Sequence, residues 1–286
     1  MPSPDRRETA ISGWIPAVAI ATAFAALSIL ERRQPLRPGI HEKMPRRQAR
    51  NLAMAALAGM AVQHLERPVT RRLTHLSDQR RIGLLSRLHL PDFLDTLISC
   101  LLLDYTLYGW HILTHRIPFL WRFHRVHHAD LDMDASTGLR FHFGEMACSV
   151  IWRAVQIFLI GVSTRALSVW NMLLLIEVMF HHSNVRLSRR VERILGRLIV
   201  TPRMHGIHHS IRRDEMDSNW SSGLSVWDRL HRTLRLGNNS RALTIGLPDL
   251  REPCQVALPR LIAMPFTIND SSRLLALTPV RNLLMS

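Results

Sequence analysis

Cysteine is scarce. The 286-residue chain has three, Cys100, Cys148 and Cys254. They are scattered, odd in number, and two lie in apolar runs, which argues against a disulfide framework or a thiolate zinc site. Other signatures are missing as well. There is no His-Glu-x-x-His pairing, no glycine-rich phosphate loop and no serine nucleophile elbow. No nucleotide or flavin site is therefore expected, and any redox chemistry here draws its electrons from a separate protein. Internal repeats and low-complexity tracts are absent too. The formal net charge of +15 raises the question of nucleic acid. No nucleic-acid motif accompanies it. The arginines instead flank long apolar runs, as in Glu31-Arg32-Arg33 and Arg46-Arg47. That placement suits lipid head groups and the cytoplasmic side of a membrane, so a membrane is the expected partner and nucleic acid is not.

Hydrophobic residues make up 47% of the chain and charged residues 21%, averages that hide strong segregation. Apolar stretches cover residues 14–30, 52–65, 93–113, 147–162 and 167–180. Residues 1–10 are mixed in charge and no small-residue cleavage site follows, so 14–30 is expected as a retained membrane helix. The last two stretches are separated only by Ser163-Thr164-Arg165-Ala166, which predicts a helical hairpin with both outer ends on one side. His142 and Glu145 precede the hairpin, His181 and His182 close it, and the 93–113 stretch leads into His111 and His115. All the histidine-rich segments can thus share one face. The basic connector 31–50 puts that face in the cytoplasm. Connector 67–92 is also basic, and two explanations stay open: an interfacial helix over 65–90, or a re-entrant 52–65. Residues 185–200 suit a helix lying on the membrane surface. The expected organisation is N-terminal membrane helices and connectors over 1–92, a catalytic domain over 93–250 and a tail over 251–286.

Of 16 histidines, 11 lie between His111 and His209. His111 and His115 stand four apart, on one helix face. His124, His127 and His128 occupy relative positions 0, 3 and 4, and His205, His208 and His209 repeat that pattern. Neutral imidazole is a good ligand for zinc, copper, iron or nickel. Eight or more imidazoles exceed the demand of one ion, so two metals are the economical reading. A pair of irons can activate O2, whereas zinc has no redox chemistry. His41, His64, His75, His89 and His231 lack patterned partners and are expected to be structural. Asp104 precedes His111 by seven positions and His115 by eleven, on the same helix face. It is expected to accept the N–H of His111, with pairing to an arginine as the alternative. Glu177, four before His181, follows the same logic. Tyr105, Tyr108 and Trp110 are expected to anchor the membrane interface.

These residues carry a resemblance. Tyr108-Gly109-Trp110-His111, His115-Arg116, Leu120-Trp121-Arg122-Phe123-His124-Arg125-Val126-His127-His128, His182-Ser183-Asn184, Pro202-Arg203-Met204-His205-Gly206-Ile207-His208-His209 and Trp227-Asp228-Arg229-Leu230 resemble the fatty acid hydroxylase and sterol desaturase superfamily. The resemblance implies an all-α integral membrane bundle of about four to five membrane helices under a cytosolic cap holding two metals. It implies His111, His115, His124, His127, His128, His182, His205, His208 and His209 as ligands, with His181 the neighbour of His182. His142 and Glu145 fall on a motif in which Phe143 replaces the usual proline. Asn219 matches a family asparagine, although Ser221-Ser222 replace a nearby glycine and His231-Arg232 replace Phe-Gly. Asp104, Glu145 and Asn219 are thus the candidate catalytic residues beside the ligands.

The implied activity is O2-dependent hydroxylation or desaturation of a lipid by a di-iron centre. A sterol, fatty acyl chain, carotenoid or ether lipid would be the substrate. Electrons would come from a reductase, ferredoxin or cytochrome. Two other classes remain open. A membrane zinc hydrolase would use Glu145 as acid–base group, and a non-catalytic metal-binding or transport protein would turn nothing over.

Overall fold

The computed structural model describes residues 13–38, 42–237 and 243–267. The stretch 1–10 and the last part of the tail lie outside them. Every element is helical, and among the described residues β-structure is limited to isolated bridges. The all-α expectation therefore holds.

Helix α1 (Trp14–Arg33) is apolar until its last turn, where Arg32 and Arg33 sit against the unpaired carbonyls. Helix α2 (Met44–Ala61) passes through a π-turn, Val62–Glu66, into α3 (Arg67–Arg80), which ends at Arg81 in the left-handed region. The apolar stretch 52–65 is thus part of one continuous rod. Helix α4 (Asp92–Arg116) has Asp92 and Asp95 in its first turn and His115 and Arg116 in its last, the polarity a helix dipole favours. Ile117 precedes Pro118 and is held extended at φ −91°, ψ 116°, which stops α4 and turns the chain into α5 (Pro118–His128).

Helix α6 (Phe143–Gln156) extends through a second π-turn, Ile157–Gly161. Gly161 adopts φ +75°, and a Cβ there would stand 2.8 Å from the Ser86 backbone nitrogen. Only glycine fits this bend. Ser163 then caps α7 (Thr164–His182) through its side chain, and the two-residue link Val162-Ser163 turns the chain so that the outer ends of α6 and α7 both reach the histidines, with α7 packed on α4 and α1 and not on α6. Short helices follow: α8 (Arg189–Leu195), α9 (Pro202–His208), α10 (Arg213–Met216), α11 (Val226–Leu230) and α12 (Leu258–Ala263).

Helix α7 packs against α1 and α4, and α2 against α6. One apolar core, with Leu103, Ile160, Leu167 and Trp170, fills the hairpin end. Another, with Met54, Trp121, Val126, Leu247 and Leu261, lies at the opposite end beside the histidines. Among the described residues two helices are long and apolar enough to cross a membrane, Trp14–Arg33 and Phe143–Gly161.

Candidate metal centre

Four helix ends deliver the histidines. The last two turns of α4 carry His111 and His115, and the Pro118 corner brings His124, His127 and His128 of α5 back over them. His182 closes α7. Thr201 and Pro202 start α9 sharply, with the Thr201 hydroxyl accepting from the Met204 backbone, which places His205, His208 and His209 at its far end.

All nine expected ligands are buried and fall into two groups. The first holds His111, His115, His124, His128 and His208; the second holds His127, His182, His205 and His209. In each, the ligand atoms lie within 4.8 Å of one another. In the second group His182 Nε2 is 2.9 Å from His127 Nε2, 3.1 Å from His209 Nε2 and 3.0 Å from His205 Nε2, and His205 and His209 Nε2 are 3.2 Å apart. Four ring nitrogens converging so closely, with His182 Nδ1 already turned to the Val178 carbonyl, suit a shared cation. With metal–nitrogen bonds of about 2.1 Å, ligands at right angles lie about 3.0 Å apart and tetrahedral ligands about 3.4 Å. The observed separations are of the size that nitrogens bound to one ion would have. In the first group the buried Nε2 atoms of His115, His124, His128 and His208 have no hydrogen-bond partner. Both groups thus fit a metal ion.

Protonation agrees. Burial, followed by the neighbouring imidazoles, holds His127, His128, His205 and His209 well below the ordinary range. Burial pushes His208 down to about 3. The rings are neutral and keep a lone pair for a metal.

Carbonyl and carboxylate acceptors fix which nitrogen that is. His111 Nδ1 donates to Trp220 O at 2.7 Å, His182 Nδ1 to Val178 O at 2.7 Å and His208 Nδ1 to Ser218 O at 2.9 Å. His124 Nδ1 donates to Glu145 Oε1 at 2.9 Å. Each leaves Nε2 to face its group. His127 is held by its ring, stacked on Phe141 at 4.5 Å.

Other expected residues are placed differently. Asp104 does not accept from His111. Its Oδ2 accepts from Leu224 N at 2.9 Å and from Trp227 Nε1 at 2.7 Å, so it ties α4 to α11, and the Trp220 carbonyl reaches His111 instead. The side-chain hydrogen bonds of Asn219 go to no expected ligand. At φ +53° it donates to Met204 O and Arg235 O and accepts from Arg235 N, clamping the loop beside α9. His142 caps α6 by accepting from Gly144 N, and its Nε2 donates to Ile262 O. His181 stays outside both groups and packs on His205 with ring centroids 4.1 Å apart. Glu177 Oε1 is buried without a hydrogen-bond partner, so it does not orient His181. Tyr108 is buried, with its hydroxyl 3.0 Å from Thr233 Oγ1, rather than at an interface.

Sequence reasoning missed a buried charge cluster. Arg47 of α2 pairs with Asp130 at 3.0 Å and with Asp134, and Arg140 reaches Asp130 at 3.1 Å. Burial alone would raise the Asp130 carboxyl, but Arg47, Arg140 and Arg50 hold it down at about 2. The cluster fastens the loop after His128 to α2. It also missed Trp220, whose ring packs on His115 and His208 at 4.7 and 5.2 Å.

The comparisons with known proteins point the same way. Residues 96–233 match the fatty acid hydroxylase family. Alkylglycerol monooxygenase of Homo sapiens is 26% identical over 162 residues, 56% of this chain and 35% of that protein. Cholesterol 25-hydroxylase of Rattus norvegicus is 28% identical over 59% of this chain and 57% of its own length. Ornithine lipid hydroxylase of Rhizobium tropici is 25% identical over 55% and 46%. The chain therefore spans from about a third to just over half the length of these relatives. No solved structure matches it. The matched segment opens within α4 and closes just after α11, enclosing every histidine of the two groups, so the likeness to the fatty acid hydroxylase family falls on the candidate metal centre.

Proposed function

We propose that the protein is a membrane di-iron enzyme that uses O2 to hydroxylate or desaturate a lipid. The observation that carries this reading is the two facing groups of buried imidazoles, nine in all. Two iron ions held by them would supply O2-dependent oxidation of an unactivated C–H bond. His111, His115, His124, His128 and His208 would hold one ion, and His127, His182, His205 and His209 the other. Hydroxylation consumes one O2, two electrons and two protons and releases one water; desaturation releases two. A separate redox protein supplies the electrons. The three relatives are named for lipid oxidation, which supports a lipid substrate here.

The chain's own groups bind and orient. Glu145 and the carbonyls of Trp220, Val178 and Ser218 keep Nδ1 protonated on their histidines, so Nε2 stays a ligand. Trp220 and Phe141 cover the cluster and help exclude water. A zinc hydrolase needs an acid–base glutamate free to act. Glu145 is instead engaged by His124.

The four long helices α1, α4, α6 and α7 are proposed to cross the membrane, with the histidines on the cytoplasmic side. Apolar side chains such as Phe93, Ile151 and Leu173 stand exposed along three of them, where a soluble protein would bury them. Arg32 and Arg33 close α1 on the histidine side.

The test is turnover under isotopically labelled O2 with host lipids and a reductase system. Labelled oxygen in a lipid alcohol, or a new alkene, is the expected result. Hydrolysis products formed equally without O2 would overturn the proposal.

A further inference from the structure

Arginine dominates a cavity of about 740 Å³ beside α9. Six line it: Arg186, Arg189, Arg193, Arg197, Arg203 and Arg229. Glu192 is the single carboxylate among the lining residues, and it is already engaged by the Thr201 hydroxyl and by Arg203 at 3.5 Å. So strong an excess of one sign in one concavity draws anions.

Its position follows from two backbone hydrogen bonds. Leu36 N donates to Asn184 O at 2.7 Å and Arg186 N to Gln34 O at 2.8 Å. They fasten the chain leaving α1 to the chain leaving α7. Arg186 and Arg189 therefore sit at the level where both helices end. If α1 and α7 cross a bilayer, the reading on which this inference rests, that level is the head-group layer. Exposed aliphatic side chains alternate with the arginines. Ile194, Leu198 and Leu230 are 53%, 64% and 63% exposed. Aliphatic groups dipping into the acyl boundary beneath guanidinium groups is how a segment rests in an anionic interface. An acidic protein surface would answer the charge and leave those side chains unmatched.

We propose that this cavity binds the phosphate of an anionic phospholipid from the surrounding bilayer. Guanidinium forks match phosphate oxygens two at a time. Buried Met204 and Ile207 form part of the lining, and their neighbours on α9 are His205 and His208. The head group thus braces the helix that carries part of both histidine groups.

The test uses the full-length, metal-loaded protein in neutral detergent, melted with phosphatidylglycerol, phosphatidylcholine or inorganic phosphate. Phosphatidylglycerol is expected to raise Tm by about 5 °C, saturating near about one lipid per chain, while the other two leave it unchanged. Arg193→Gln with Arg197→Gln, both exposed, should melt like the parent without lipid and lose the rise. Arg186→Gln with Arg189→Gln, the second pair, should behave alike. An equal rise with phosphatidylcholine, or a rise kept in both pairs, overturns the proposal. An equal rise with inorganic phosphate also overturns it, in favour of a soluble phosphate. Variants that keep the lipid rise but accept electrons more slowly from an acidic donor protein reassign the cavity to protein docking. Melting needs no turnover. A protein that oxidises no lipid yet shows the selective rise would sink the proposed activity and leave this site standing.

Discussion

His124 Nδ1 donates a hydrogen bond to Glu145 Oε1, and the strength of that bond sets how well His124 can serve as a ligand. Removing the acceptor with Glu145→Ala should weaken metal retention about 10- to 100-fold against a chelator. Glu145→Gln keeps an oxygen acceptor and should recover part of the loss. An alanine variant that holds metal as tightly as the parent would refute the role. Asp104 makes the opposite prediction. It satisfies the Leu224 amide and the Trp227 indole, so Asp104→Ala should cost about 1–3 kcal/mol in stability and leave metal content intact. Metal loss at unchanged Tm would restore the expectation that it orients His111. The difference shows what a sequence can convey at this scale. The spacing of His124, His127 and His128 is local and readable, because helix geometry alone puts them on one face. The Trp220 and Ser218 carbonyls are unreadable, since every residue has one and only the folded loop aims them.

Helix ends decide the element scale. Pro118 and Pro202 mark in the sequence where α5 and α9 begin, and both corners are legible for that reason. The rod from α2 to α3 is not. Pro68 stands just inside α3, where a break is the usual expectation. The π-turn Val62–Glu66 directly before it is a place where a helix tolerates a missing N–H, and no residue type announces such a turn. The Arg47–Asp130 pair joins residues 83 positions apart, which pattern reading cannot connect. Arg47→Ala leaves Asp130 and Asp134 buried with fewer counter-charges, and should destabilise the fold by about 3–5 kcal/mol in chemical denaturation. A change below about 1 kcal/mol would mean the cluster relaxes without it.

At the scale of the whole molecule, four helix ends converge on one volume. The apolar runs and their order were readable, and they foretold that the outer ends of α6 and α7 meet on one side, though not that α7 packs on α4 and α1 and not on α6. How the histidines divide into two groups was not, because His208 joins the first and its neighbours His205 and His209 the second. That partition depends on how α9 is tilted against α4, α5 and α7. Metal held there as proposed would also stabilise the fold, since bare clusters leave buried nitrogens of His115, His128 and His208 unpartnered. Chelation should lower Tm by about 5–10 °C, reversibly on adding iron(II) back anaerobically. Unchanged melting after complete metal removal would argue that the clusters are stable on their own.

The most direct measurement of the central claim is metal content with Mössbauer spectroscopy, on protein produced with isotopically enriched iron and purified in mild detergent. The expected result is about two coupled iron ions per chain, lost in both His127→Ala and His208→Ala, one from each histidine group. One tightly held zinc, with no iron taken up even under anaerobic loading, would contradict it.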